Sequence, residues 1–378
     1  MKEKKLVPKL RFPGFTEPWE QRKLGEIFKE RNERSGQGEL ISVTVSQGVI
    51  KAADLDRDIN ASIDKHNYKV VKPGDVVYNT MRMWQGACGH SPYRGILSPA
   101  YTVLIPGKNT LGTLFDYYFK RIELLQIFKK YSQGMTSDTW NLKFDILKQV
   151  KLPFPSVEEQ GKIVQLFSSC DANITLHQRK LEHLKLKKKS LLQKLFPKEG
   201  EVYPELRFPG FTEPWEQRKL GDLYKRINER NDGTLGRNKW ISVAKMYFQD
   251  PEKVQSNNLD TRTYVMKKGD IAFEGHPNNE FKFGRFVLND IGTGIISELF
   301  PIYRPITEYD LNFWKYAIQF ERVMAPIFAK SITSSGNSSN KLDQNHFLNQ
   351  TILVPPISEQ KEIGAILERT TNLITLHQ

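Results

Sequence analysis

The sequence predicts an α+β protein with two similar, mostly-β domains that contain small helices. Long spacer helices separate them and pair as an antiparallel coiled coil, which gives a pseudo-two-fold repeat. Three observations support this: a string that recurs unchanged, strand-like segments in both halves, and a long stretch with heptad spacing. The length of 378 residues also favours two domains, since a domain has roughly 100 to 200 residues.

The repeat is the strongest of these signals. The string RFPGFTEPWEQRKLG occupies residues 11–25 and returns without a change at 207–221. Near the other end of each half, PFPSVEEQGKI leads to NITLHQ, and PPISEQKEI leads to LITLHQ. Both halves therefore begin and end alike, as expected for a duplicated unit.

Between these ends, the halves share an outline of short strands. Segments such as YKVVKPGDVVYNT and TYVMKKGDIAFEG are rich in β-branched and aromatic residues and are broken by Gly-Asp. Asp75 and Asp270 follow glycine in these turns, where hydrogen bonding to the backbone explains them. One amphipathic helix is predicted in each half, over 115–131 and 311–330.

The stretch from 157 to 196 predicts a spacer helix about 60 Å long. Its apolar positions step alternately by four and three, which is the a/d pattern of a coiled coil. Prolines 153 and 155 confine its start, and Pro197 with Gly200 ends it. The predicted seam contains Ile163, Phe167, Cys170, Ile174, His177, Leu181, Leu184, Lys188, Leu191 and Leu195, followed in the second copy by Ile363, Leu367, Thr370, Ile374 and His377.

These features divide the chain into a first domain (1–152), a first spacer helix (153–200), a second domain (201–353) and a second spacer helix (354–378). The second spacer shows only about half of the first one's pattern, and the sequence does not decide whether it is naturally short or truncated. His177 and His377 occupy matched seam positions. Because no cysteine or carboxylate accompanies them at ligand spacing, we assign them a packing role.

Composition narrows the class of partner. Lys and Arg number 56 against 43 Asp and Glu, a formal charge of +13 that is spread over both halves and attracts polyanions such as nucleic acid. The two cysteines have no ligand spacing, so neither a disulfide framework nor a metal site is expected. No apolar run approaches a membrane span, and no secretory leader precedes the first repeat, so the cytoplasm is the expected compartment.

The repeated LRFPGFxxxWEQRKLG opening and the PxxxEQ helix starts together resemble the specificity subunits of type I restriction-modification systems. The resemblance covers essentially the whole chain. It implies a non-catalytic subunit whose two target-recognition domains each bind one part of a bipartite, asymmetric sequence in double-stranded DNA. It also implies that the spacer helices dock two adenine-methylating subunits, which helicase-nuclease subunits join. S-adenosylmethionine, ATP and Mg²⁺ are then expected on those partners, and no cofactor on this chain.

Base edges are read by donors and acceptors on loops that face a groove. The candidates for DNA contact lie on a loop after the Gly-Asp strand and on a second loop before the spacer in each half, with Tyr93 and Arg94 on a further predicted turn between Pro92 and Gly95. In the first half they are Asn79, Arg82, Gln85, Tyr93, Arg94, Thr136, Ser137, Asn141 and Lys143; in the second half they are His276, Asn278, Asn279, Lys282, Arg285, Asn337, Ser338, Asn340 and Lys341. Trp84 and Trp140 are interpreted as packing residues.

Two other classes of protein remain as alternatives. A stand-alone DNA-modifying enzyme is disfavoured, because an Asn-Pro-Pro-aromatic motif and a P-loop pattern are both absent from the sequence. A structural coiled-coil adaptor would bind duplex DNA without sequence preference, whereas a specificity subunit should discriminate by several kcal/mol.

Overall fold

The computed structural model describes residues 7–55, 64–137, 139–254, 262–335 and 339–378, without the side chains of Ser334 and Ser335. Its contacts divide the chain into two compact units, Met1–Thr175 and Leu176–Gln378. The division falls inside the long helix. The predicted bounds of the recognition domains are a finer division and remain predictions.

The first unit is a mixture of short strands and helices, as the periodicity predicts. Its strands are β1 Glu20–Lys23, β2 Phe28–Glu30, β3 Ile41–Thr44, β4 Gly48–Lys51, β5 Lys69–Val71, β6 Val76–Asn79, β7 Cys88–His90, β8 Gly95–Leu97, β9 Tyr101–Pro106 and β10 Lys151–Phe154. Its helices are α1 Leu24–Ile27, α2 Phe115–Tyr118, α3 Ile122–Tyr131, α4 Phe144–Leu147 and the start of α5 Val157–Leu195.

An antiparallel sheet in the order β2-β9-β6-β7 organises this unit. Since side chains alternate along a strand, Val76 and Tyr78 enter one apolar core, which also contains α2 and α3, while Val77 enters a second core with β3. Strand β1 pairs with β10, so that the repeated opening lies beside the residues that lead into α5.

The second unit repeats this plan. Its strands are β11 Glu216–Lys219, β12 Tyr224–Ile227, β13 Ile241–Ser242, β14 Tyr247–Phe248, β15 Thr263–Met266, β16 Ile271–Glu274, β17 Arg285–Leu288, β18 Gly294–Ser297, β19 Ile302–Pro305, β20 Ile332–Ser335, β21 Asn340–Leu342 and β22 Thr351–Val354. Its helices are α6 Leu220–Leu223, α7 Leu311–Ala317, α8 Glu321–Ser331, α9 Gln344–Asn349 and α10 Ile357–Leu376. The sheet order β12-β19-β16-β17 corresponds to that of the first unit, and β11 pairs with β22 as β1 does with β10.

The prediction of one continuous helix in each half is wrong, because each predicted helix is broken into two. Arg121 between α2 and α3 is extended (ψ 138°), and so is Phe320 between α7 and α8 (ψ 109°). The break redirects the chain so that apolar residues on both sides reach the same core. Phe119 and Phe128 are thereby fully buried, with their ring centroids 5.4 Å apart.

Asp75 and Asp270 are framework residues in both units. The Oδ2 atom of Asp75 accepts the Lys72 amide at 2.8 Å, which confirms the predicted hydrogen bond to the backbone. Each aspartate also holds an arginine by two hydrogen bonds of 2.8 Å: Asp75 pairs with Arg31, and Asp270 pairs with Arg304. These arginines come from different places in the two units, so the pairing is not visible as a repeat in the sequence.

Helix α5 covers almost all of the stretch 157–196 that the heptad spacing predicted to be helical, and α10 is the second spacer helix. Within the second unit the two helices meet with opposite chain directions: the Nδ1 atoms of His177 and His377 lie 3.0 Å apart, while Leu191 shares a core with Ile363. The antiparallel pairing of the spacers is therefore present in this unit. The seam is not uniformly buried, since Phe167 and Ile174 are 44% and 54% exposed. Leu184, Leu191, Ile363 and Leu367 are buried, and Ile163, Leu181, Ile374 and His377 are half-buried.

Candidate nucleic-acid interface

In the first unit, the structure brings the two candidate loops side by side. One loop follows β6 and runs through a 3-10 turn, Met83–Gln85, to Gly86, which has a left-handed backbone (φ 88°). The other loop precedes α4. The Leu142 amide donates to the Thr80 carbonyl at 2.8 Å, which joins the loops.

The two tryptophans hold this junction together. The rings of Trp84 and Trp140 meet edge to face, with centroids 5.3 Å apart. The Lys129 ammonium lies 5.8 Å from the Trp84 ring and 5.4 Å from the Trp140 ring. Their predicted packing role is thereby confirmed, and a cation is placed at the same point on the surface.

A polar concavity of about 490 Å³ lies beside the first loop. Asn79 and Arg82 line it, as do Thr44, Ser46 and Gln47 from the turn between β3 and β4. The Arg82 guanidinium is exposed and donates to the Gln85 side chain at 3.4 Å. This turn was not among the predicted sites, although the TVSQG string between two strand-like runs was a signal for it.

The second unit brings its two candidate loops together in the same way. The Asn340 amide donates to the Gly275 carbonyl at 2.8 Å. Only glycine fits at position 275, because a Cβ there would collide with the carbonyl oxygen of Asn340. Asn337 and Ser338, which were also candidates, lie outside the described residues.

The candidate residues of the second unit differ in whether their side chains are exposed or already hydrogen-bonded within the unit. His276, Asn279, Lys282 and Lys341 are exposed. The Asn278 side chain shapes its own loop by accepting the amides of Glu280 and Phe281, both at 2.9 Å. The Arg285 guanidinium donates hydrogen bonds to the Glu274 carboxylate at 2.9 Å and to the Ala244 carbonyl at 2.6 Å. Asn340 is buried. These contacts favour a framework role for Asn278, Arg285 and Asn340.

In the first unit, Tyr93 and Arg94 stand apart from the paired loops. They follow Ser91, whose amide donates to the Asp75 carbonyl just before β6 begins. The first of the paired loops follows the opposite end of β6, where Asn79 is the last residue. Thr136, Ser137 and Lys143 are exposed on the second loop. Asn141 is half-buried, and its Oδ1 atom is an acceptor without a hydrogen-bond partner among the described residues.

The exposed polar side chains of these surfaces are of kinds that can pair with nucleic-acid bases. Guanidinium and amide groups such as Arg82 and Asn279 are the side chains that pair with guanine and adenine edges. Burial raises the pKa of Cys88 to about 12, so its thiol is not poised as a nucleophile. Across the described ranges, no group of three or more His, Cys, Asp or Glu residues is arranged to hold a metal ion.

Both units have the same framework, and each joins two polar loops whose sequences differ between the units. This arrangement defines a recognition protein built by duplication. The family model described as "Type I restriction modification DNA specificity domain" matches residues 16–186 and again 212–378. The chain belongs to this family of type I restriction-modification specificity subunits, as its repeated motifs predicted.

Known proteins agree with this assignment. The type I restriction enzyme MjaVIII specificity subunit of Methanocaldococcus jannaschii is 24% identical over 318 residues, covering 78% of this chain and 72% of the relative. The putative MjaX specificity subunit of the same organism is 25% identical over 226 residues, covering 54% and 52%. The crystal structure of an HsdS subunit from Thermoanaerobacter tengcongensis has a TM-score of 0.50 at 17% identity, covering 98% of this chain and 92% of that chain, which supports the fold.

None of the helices in the described part of the chain combines the length and the apolar character needed to span a bilayer.

Proposed function

We propose that this chain selects the DNA target of a type I restriction-modification complex, with each unit reading one part of a split, asymmetric duplex sequence. The observation that carries this proposal is the junction of two polar loops in each unit, through Leu142 and Thr80 in one and Asn340 and Gly275 in the other. The framework around these junctions is repeated, but the loop residues are not. Two different readers on one framework would recognise two different half-sites.

The first reader would use the concavity beside its paired loops. Arg82 and Gln47 offer side-chain donors there, Asn79 lies at its wall, and Lys129 and Lys143 supply positive charge near the junction. Cations of this kind contact phosphates and position the protein, whereas the amide and guanidinium groups discriminate between bases. Asn279 and Lys282 would have these roles in the second reader.

We also propose that the chain is the non-catalytic member of its complex. Adenine-methylating subunits and helicase-nuclease subunits would dock on it, and S-adenosylmethionine, ATP and Mg²⁺ would bind to those partners. Family membership and the spacer helices support this division of labour.

A domain exchange tests the two-reader proposal. Residues 26–152 are replaced by the corresponding region of another specificity subunit, and methylated adenines are mapped across the genome with the partner subunits present. A motif that changes in one half and keeps the other is the expected result. The reciprocal exchange of residues 222–353 is the matched control and should change the other half. If folded, active hybrids changed both halves of the motif, two independent readers would be ruled out.

A further inference from the structure

The polar concavity of the first unit contains a carboxylate as well as hydrogen-bond donors. Asp54 lines this concavity together with Arg82, Asn79 and Gln47. It is the last residue of a 3-10 turn, Ala52–Asp54, that follows β4, and its side chain is exposed. Asp54 was not among the predicted DNA contacts, and it differs from them in carrying a negative charge.

The Asp54 carboxylate has no structural role that would explain it. Within the described ranges it forms no hydrogen bond and no ion pair, and it does not cap the turn that it ends. Lys51, three residues earlier, is bonded to Glu39 at 3.0 Å instead. Arg82 lines the same concavity but donates to Gln85, at 3.4 Å, and not to Asp54. The carboxylate is therefore left available to a ligand.

The second unit shows what a structural aspartate does at such a turn. A 3-10 turn, Pro251–Lys253, follows β14, and the Asp250 side chain caps it by accepting the Glu252 amide at 3.1 Å. This turn ends in Lys253, where the turn of the first unit ends in Asp54. The charge at the end of the turn is thus reversed between the units, as expected if this position belongs to the surface that differs with the target.

A negative charge in this concavity opposes the binding of DNA in general. The chain attracts phosphates through its formal charge of +13, whereas a carboxylate repels them. A carboxylate beside DNA is favourable where it meets a hydrogen-bond donor of the nucleic acid. In the major groove, those donors are the exocyclic amino groups of cytosine and adenine.

Of these two bases, cytosine suits a carboxylate better. An ionised carboxylate only accepts hydrogen bonds. Cytosine offers the N4 amino group alone in the major groove, whereas adenine offers the N7 acceptor beside its N6 amino group. A carboxylate that accepted from adenine would therefore face the N7 lone pair. The neighbouring Arg82 supplies the donors that guanine requires, so the two side chains together suit G·C pairs.

We propose that Asp54 accepts a hydrogen bond from the N4 amino group of a cytosine in the half-site of the first unit, and so determines one base of the target. This inference rests on the proposed function of the chain as a reader of DNA. The carboxylate acts by discrimination, because it favours a cytosine amino group and disfavours the carbonyl oxygen that thymine or guanine presents at the same place.

Binding to a set of duplexes tests this assignment. The full-length chain with its methylating partner is titrated with its methylated motif, changed one base pair at a time in the half that residues 26–152 determine. Asp54→Ala should lose roughly tenfold of its preference at one pair, where the motif has cytosine. Its affinity for an unrelated duplex should rise about two- to fivefold, because a charge that repels phosphates is removed.

A base analogue tests the contact itself. In the wild type, replacing that cytosine by 2-pyrimidinone, which lacks the 4-amino group, should weaken binding by a similar factor. Asp54→Ala should bind both duplexes alike. Asp54→Asn should shift the preference at this pair from cytosine towards adenine, since an amide can both donate to N7 and accept from N6.

The control is Glu123→Ala, which removes a carboxylate that is 70% exposed on α3 and should leave the preference at this pair unchanged. Normal preference in the second half-site shows that each variant is folded. A discriminating wild type together with an Asp54→Ala variant that kept every base preference would overturn the inference and leave the proposed function standing. Relaxation at an A·T pair would also overturn it. A wild type that bound all duplexes alike would contradict the proposed function itself.

Discussion

Arg11 and Glu159 form a two-point ion pair, with Nε–Oε1 and Nη2–Oε2 distances of 2.9 and 2.8 Å. Arg207 and Glu359 repeat it at 2.8 and 2.8 Å. The arginine begins the RFPGF string, and the glutamate belongs to the PxxxEQ helix start. In each unit, the same ion pair therefore joins the two repeated motifs.

Removing the glutamate of the second pair should destabilise its unit. Glu359 is fully buried, and Glu359→Ala would leave the Arg207 guanidinium without its partner. Loss of one member of a buried pair costs about 3 kcal/mol, which urea unfolding followed by tryptophan fluorescence can measure. Glu362→Ala, on an exposed position of the same helix, is the control. Identical unfolding curves for both variants would show that the pair does not stabilise the unit.

The glutamine next to the first pair should matter for a different reason. Gln160 is fully buried; it accepts the Leu111 amide at 2.9 Å and donates to the carbonyls of Asn109 and Pro155, at 3.1 and 3.0 Å. Gln160→Leu would leave these backbone groups unpaired, at a cost of about 2 kcal/mol in the free energy of unfolding. Gln165→Leu, on an exposed turn, should have little effect in the same denaturation experiment.

Arg82 should contribute to specificity in one half-site. If its guanidinium pairs with a base, Arg82→Ala would cost about 1 to 3 kcal/mol at that position and relax its sequence preference. Competition binding to duplexes with single substitutions, with the methylating partner present, measures this. Lys151→Ala, an exposed cation outside the two loops of the same unit, is the control for general loss of charge.

Asn279 provides the reciprocal prediction. Asn279→Ala should relax preference in the half-site that Arg82→Ala leaves unaltered, because the two residues belong to different units. The same set of duplexes is used. Loss of preference at the same base position in both variants would be incompatible with separate readers.

Stability should also depend on pH through Glu229. Its carboxylate bonds to Lys267 at 3.0 Å and to Arg304 at 3.1 Å, and these contacts, with Lys267 the larger cause, lower the pKa of Glu229. A lowered pKa in the folded state adds stability above the unfolded pKa of about 4.3, and this is lost as pH falls through the folded value. The Tm of Glu229→Gln should therefore lie below that of the wild type at pH 7.

The same measurement at low pH completes this prediction. The two Tm values should converge only as the pH falls through the lowered folded-state pKa, below the unfolded value of about 4.3, because the wild-type carboxylate is then itself protonated. Glu252→Gln, an exposed carboxylate in the same unit, should show no such convergence because its substitution should not lower the Tm at pH 7. A difference in Tm that persisted unchanged into acid would argue against the ion pairs as its cause.

Much of the fold was predictable because its signals are local. The first spacer was predicted over 157–196, and α5 spans Val157–Leu195. Its limits depend on the prolines and on heptad spacing, which act over neighbouring turns. The broken helices were not predictable from the same spacing, since the apolar periodicity of 115–131 continues across the extended residue Arg121.

The sequence indicated which loops form the candidate site, but it did not indicate the role of each residue in those loops. Arg82 and Asn279 are exposed as expected, while Arg285 and Asn278 are occupied by contacts within their own unit. The turn that carries Gln47 was missed because a polar turn between strands has the same composition whether or not it faces a ligand.

The amino-acid sequence by itself determined the duplication, the alternation of strands and the spacer helix, because repeats and periodicity are properties of the order of residues. Only the tertiary structure decided which residues distant in the sequence contact each other. The Leu142 amide donates to the Thr80 carbonyl, and the Phe196 ring packs against the Trp215 ring. Asp75 pairs with Arg31, whereas Asp270 pairs with Arg304. Such contacts join residues far apart in the chain. They form only where packed sheets and helices bring a donor to its acceptor or one apolar surface to another, which no local pattern specifies.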